Sequence, residues 1–241
     1  MVVLFSLLSS IVATASPVGD PVVSPVIGRI HLDAQLGKSL VHSVDDGCSG
    51  SACSARVERS TLGGELGLTV LRGVGVYGFA LGTKDKVTEA SYNGSGRSYG
   101  GGVRLAVPLG RAAWLAVNGR VGRGYGTSDI ESEDGDPGQS TDLEQSISVL
   151  GVLGSVGGSG HGWLGVQVPT HATFTLEPLG KEGHSVSLPL SPVYPASAVI
   201  GATLISDRVG LPWRKSPRVR TSFEARVGAE MGVSLRTGLA F

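Results

Sequence analysis

The chain has 241 residues, with 20 basic and 20 acidic side chains and no formal net charge. That balance argues against the basic face a nucleic-acid partner demands, and no Lys/Arg cluster is longer than Arg214–Lys215. Only 17% of residues are charged, whereas 41% are hydrophobic and 38 are glycines scattered through apolar segments. Such a chain makes bent strands and poor helices, because each interior glycine costs a helix about 1 kcal/mol.

Residues 1–15 read as a signal peptide. Val2 to Val12 is apolar, and Ala13-Thr14-Ala15 fits a small-x-small cleavage site. The run is too short to span a bilayer, which takes about 20 apolar residues, and no Lys or Arg precedes it. Residues 16–26, with Pro17, Pro21 and Pro25, form a short extended leader.

From residue 27 to 241 the dominant period is two, the signature of strands with two different faces. Ile30, Leu32, Ala34 and Leu36 alternate with His31, Asp33, Gln35 and Gly37. The pattern recurs at Gly64–Val70, Tyr77–Gly82, Tyr99–Val107, Ala113–Gly122, Ile147–Leu153 and Leu164–Val168. Ser185–Leu190 alternates more weakly, since Pro189 removes a ladder donor, and Ala198–Ile205 is apolar on both faces. The clearest alternation runs from Ser222 to Phe241 and reads as one last strand. These segments count ten strands, or eight if Ser185–Leu190 and Ala198–Ile205 both drop out. Long connections at 43–55, 83–97 and 127–142 alternate with tight ones near Arg72-Gly73, at 108–111 and at 157–161. A medium loop at 177–183, a Pro-rich turn at 191–195 and a final loop at 207–217 complete the series.

No other segment approaches a spanning helix, and a membrane protein without helices must be a closed barrel. The expected fold is therefore all-β, an antiparallel up-and-down transmembrane β-barrel, with longer loops on one end and short turns on the other. A soluble sandwich would carry Lys and Glu on its polar face. Here that face is mostly Gly, Ser and Ala, which suits a narrow interior. Its isolated charges have both signs, and Glu65, Arg104, Arg120, Glu224, Arg226, Glu230 and Arg236 are expected inside, paired with one another. Tyr99 and Tyr125 fit an outer aromatic girdle, and Tyr77 and Trp114 an inner one.

The run from Val233 through Leu235 and Leu239 to Phe241 resembles the sorting signal of bacterial outer-membrane proteins. Size, loop pattern and terminal Phe241 resemble the small OmpA/OmpX/OmpW-type barrels. The resemblance implies export through the periplasm, insertion by the barrel-assembly machinery, and outer-membrane lipid and lipopolysaccharide as surroundings.

Cys48 and Cys53 are the only cysteines, and in an oxidising compartment they are expected to form a disulfide that closes a small loop. A metal site would need more ligands nearby, so no metal or cofactor is expected. The acidic stretch Asp129–Asp136 lacks the glycine and terminal Glu positions of an EF-hand and reads as a solvated loop. Catalysis needs a nucleophile, a base and an orienting group in reach. His184 with Ser185 or Ser187 is the one local His/Ser cluster, and it lacks the His-x-Ser-Asn pattern of outer-membrane phospholipases. His161 and His171 have serines nearby but no recognisable spacing. Gly100-Gly101-Gly102 lies in a strand with no helix to bind phosphate. The expectation is a non-enzymatic outer-membrane barrel with a structural, adhesive or envelope-interaction role through its loops. A narrow transporter or porin-like channel is the alternative, and a lipid hydrolase the second.

Overall fold

The computed structural model describes residues 17–22, 26–44, 54–87, 92–131, 137–154, 159–177, 186–189, 191–192, 196–206 and 218–241. Its strands are β1 (Ile30–Val44), β2 (Ser54–Leu71), β3 (Val74–Val87), β4 (Tyr92–Pro108), β5 (Ala113–Glu131) and β6 (Pro137–Gly154). There follow β7 (Gly160–Glu177), β8 (Val186–Pro189), β9 (Ser191–Pro192), β10 (Ser197–Ser206), β11 (Arg218–Gly228) and β12 (Glu230–Ala240). Every pairing is antiparallel. β1 to β7 pair in sequence, β10 to β12 likewise, β12 pairs with β1, and β10 pairs with β7. The ring is thus a closed barrel of ten strands.

The ten strands are not the ten that alternation marks out. Ser222–Phe241 is two strands, β11 and β12, folded at Gly228, whose φ of +139° suits glycine. Partners across this hairpin have equal parity, as in Arg226↔Gly232 and Glu224↔Ser234. The same face therefore stays inward through the turn, and the sequence pattern runs on unbroken. In compensation, Ser185–Leu190 contributes no barrel strand. Its described part, Val186–Pro189, pairs with the last residues of β7, while β9 pairs with Ser43–Val44 of β1.

The same hairpin changes the ends. One end carries Ile30, Phe241, the turns after β2 and β4, the facing ends of β6 and β7, and Ser206 and Arg218, which flank 207–217. The other carries the connections after β1, β3 and β5 and the Gly228 turn. The residues flanking 207–217, Ser206 and Arg218, therefore lie at the end of the tight turns, whereas loop alternation would put them with the long loops. We call these the near end and the far end.

Outward faces are apolar. Leu62, Leu66, Leu68 and Val70 of β2 are all exposed, as are Leu36, Val103, Leu105, Val149, Leu164, Ile200, Leu204, Phe223, Val227, Val233 and Leu235. Leu62 to Val70 spans about 27 Å at roughly 3.4 Å per residue. Tilted by about 40°, that is a little over 20 Å along the barrel axis, close to an outer-membrane apolar band.

Strand β3 inverts the expected division. Tyr77, Phe79 and Leu81 point inward and are buried, while Gly78, Ala80 and Gly82 face out. The rings fit because the facing strands offer glycine. A Cβ on Gly100 or Gly122 would meet the Phe79 ring, and one on Gly102 the Tyr77 ring. Tyr77 therefore belongs to the interior and not to a girdle. Trp114 is likewise half-buried and packs on an interior apolar layer. Tyr99 and Tyr125 do lie outside, exposed and stacked at 5.8 Å between centroids.

Candidate functional site: a charged lumen closed by the leader

Alternation sends every second side chain into a narrow lumen, and the register decides which charges meet. Asp33 and Glu65 stand opposite one another on β1 and β2. Glu65, with no side-chain exposure, receives Arg104 Nη1 at 2.7 Å on Oε1 and Arg236 Nη1 at 2.7 Å on Oε2, and His31 Nε2 lies 3.4 Å from Oε1. Asp33 takes a bidentate guanidinium from Arg220. Arg226 bridges Glu224 at 3.2 Å and Glu230 at 2.9 Å. Nearer the far end Arg59 pairs with Asp85 at 2.7 Å. An unpaired buried charge costs several kcal/mol, so a lumen this closed requires such matching.

Aromatic faces carry part of the cation load. The Arg104 guanidinium lies 4.1 Å from the Tyr77 ring centroid and that of Arg120 lies 3.5 Å from Phe79. The Tyr77 hydroxyl donates to Asn118 Oδ1 at 3.0 Å.

The leader completes the site. Pro17 to Pro21 is buried inside the barrel. The N–H groups of Val18 and Gly19 both donate to Glu224, at 3.1 and 2.7 Å. Arg120 and Arg236 each donate to the Pro17 carbonyl at 3.1 Å, and Arg104 to the Val18 carbonyl at 3.3 Å. Hydrogen bonds to charged groups contribute about 1.5–3 kcal/mol each, so this contact set is substantial. Asp20 accepts from His161 Nε2 at 2.9 Å and lies 3.7 Å from Arg220. Burial would raise the Asp20 carboxyl, but His161 and Arg220 outweigh it and hold that group below the ordinary carboxylate range. The Val18 side chain packs into an apolar layer made by Ala106, Ala116, Leu150, Val152, Trp163 and Val199, with Val22 and Trp114 beside it. Gly28 (φ +79°) turns the chain at the near end between leader and β1.

The seven charges expected inside, Glu65, Arg104, Arg120, Glu224, Arg226, Glu230 and Arg236, are each 5% exposed or less. Alternation alone did not single out Asp20, Asp33, Arg59, Glu144 or Arg220. Asp33 was visible as a charge on the polar face of its strand. Asp20 had no such signal, since the leader has no alternation. Of the C-terminal residues, Phe241, Val233 and Leu235 are exposed, and Leu239 is half-buried. Cys48, Cys53 and His184 lie outside the described residues, as do residues 132–136 of the acidic stretch. His171 is exposed on β7. His31, Asp33 and Glu65 bring ligand-type atoms within 4.8 Å of one another, but both carboxylates are already engaged by arginines.

No family model matches the chain, and no curated protein does. Among solved structures the chain is similar to the translocator domain of the autotransporter NalP from Neisseria meningitidis, with TM-score 0.50 and 12% identity over 90% of this chain and 88% of that one. It also matches the outer membrane protease OmpT from Escherichia coli at TM-score 0.46 and 7% identity, over 93% and 99%. The beta domain of the Bordetella autotransporter BrkA matches at 0.44 and 13%, over 90% and 99%. The chain has the fold of bacterial outer-membrane β-barrels. The likeness is to that architecture as a class and does not single out OmpA-type barrels.

Proposed function

We propose that this chain is an integral outer-membrane barrel with a closed lumen, and that it serves a structural, adhesive or envelope-interaction role through its far end. The observation that carries the closed reading is the interior. Its carboxylates and guanidiniums bind one another, and the leader fills the near half. A solute channel needs charges free to meet water and ions. Refolded full-length chain in a planar bilayer is expected to give no steady single-channel current. Reproducible conductance would instead support the narrow-transporter reading.

The far end supports the lipid partners. Lys84, Arg97 and Arg123 are exposed on the outward faces of β3, β4 and β5, just beyond the apolar band and beside Tyr99 and Tyr125. Cations at this height suit the phosphates of lipopolysaccharide, at about 1 kcal/mol per charge near an anionic surface. The reading includes export after cleavage near Ala15 and recognition of the Phe241 strand by the assembly machinery. Removal of Phe241 is expected to lower the yield of the heat-modifiable band in outer-membrane fractions.

A further inference from the structure

We propose that the lumen is a peptide-binding site that reads main chain, with Pro17–Asp20 as its resident ligand. An extended peptide of the same pattern supplied in trans takes that place when the leader leaves it. The inference uses the leader's contacts and not the role assigned to the far end.

The contacts have the form of recognition and not of incidental filling. Two successive N–H groups converge on the two oxygens of Glu224. Two arginines from different strands share one carbonyl, and a third takes the next carbonyl. Charged side chains that bind main-chain N–H and C=O groups capture a peptide with little regard to its side chains. The wall supplies them from β4, β5, β11 and β12, and each is at least nine-tenths buried. Selectivity enters at Val18, Gly19 and Asp20. Val18 fills the apolar layer. Gly19 has φ +73°, and a Cβ there would run into the Arg236 guanidinium. Asp20 needs its carboxylate for His161 and Arg220. The ligand class is therefore a peptide with an apolar residue, a glycine at positive φ and an acid in succession.

The leader joins β1 through a single turn at residues 26–29 and pairs with no strand among the described residues. Among the described residues, Pro17–Asp20 is held by the contact set above, and a competing peptide can match that set.

The test uses the full chain with Gly19→Val and Asp20→Lys, which evict the leader and leave every wall residue unchanged. The probe is a fluorescein-labelled peptide of residues 16–23, read by anisotropy in detergent. The evicted variant is expected to bind it at least tenfold more tightly than the native chain, whose own leader competes. A peptide N-methylated at Val18 and Gly19 loses both donors to Glu224 and is expected to bind at least tenfold more weakly. Equal binding of the methylated and parent peptides, equal binding by native and evicted chains, or no binding to the evicted chain each overturns the proposal. Should the double variant fail to give a heat-modifiable band, Asp20→Ala serves alone. It removes the carboxylate that His161 and Arg220 face, and intermediate peptide affinity is expected; affinity equal to native overturns the proposal. Native-chain conductance tests the closed reading and peptide binding tests this one, so either can fail alone.

Discussion

Glu65 is the residue on which most of the interior charge turns, and replacing it tests whether the lumen is a dry, coupled network. Glu65→Ala leaves Arg104 and Arg236 without their shared carboxylate, at side-chain exposures of 4% each. Breaking a buried pair from one side costs about 3–5 kcal/mol. Two guanidiniums are stranded, but each keeps a leader carbonyl, and Arg104 keeps the Tyr77 ring. The expected loss is therefore about 3–5 kcal/mol in total, not twice that. Glu65→Gln keeps an acceptor and removes the charge, so a smaller loss is expected. Urea unfolding of the refolded barrel in detergent micelles, followed by tryptophan fluorescence, gives the values if the slope is unchanged. A triple replacement, Glu65→Leu with Arg104→Met and Arg236→Met, removes all three charges together and should recover most of the loss. If Glu65→Ala unfolds within 1 kcal/mol of native (on the order of the cost for solvated ion pairs), water fills the lumen and the coupled-network argument is wrong.

Three further outcomes are expected. Gly122→Ala places a Cβ 3.0 Å from Phe79 Cζ, an overpacking that costs about 1–3 kcal/mol; Phe79→Leu in the same chain should recover only part of the lost midpoint in urea, because it also takes the ring away from the Arg120 guanidinium. Leu66→Arg, on the lipid face, should destabilise the barrel in vesicles by about 2–4 kcal/mol at mid-depth, whereas Ser60→Arg, beyond the apolar band, should cost far less in the same titration. An epitope inserted between Gly228 and Ala229 should be reached by antibody from the same membrane side as one placed between β3 and β4, and from the side opposite one in residues 207–217. Equal access from both sides would contradict the hairpin.

Much of this architecture was legible because a barrel writes its two faces directly into the chain. Leu66, Leu68 and Val70 read as lipid-facing, and Glu65, Arg104 and Arg236 as interior. Three features were not legible, each for a definite reason. The Gly228 turn preserves parity, so β11 and β12 look like one strand. Strand β3 puts its rings inside because β4 and β5 supply glycines there, a fact about register and not about β3. The leader's place in the lumen depends on Glu224, some two hundred residues away, and a proline-rich stretch carries no period that could announce it. Which charges meet is set by register between strands far apart in sequence, so their partners were not readable.

The seam has a consequence for the order of assembly. β1 and β12 pair residues near 30 with residues near 240, and Phe241 donates its N–H to the Ile30 carbonyl. Contacts of such sequence separation form late, because loop-closure entropy must be met before they contribute. Until then β1 and β12 are open edges, the form most exposed to aggregation. The leader reaches β4, β5, β7, β11 and β12 at once. These partners face one another across the lumen, so the leader's site is complete only once the sheet has curved into a barrel, and docking is expected to follow that curvature.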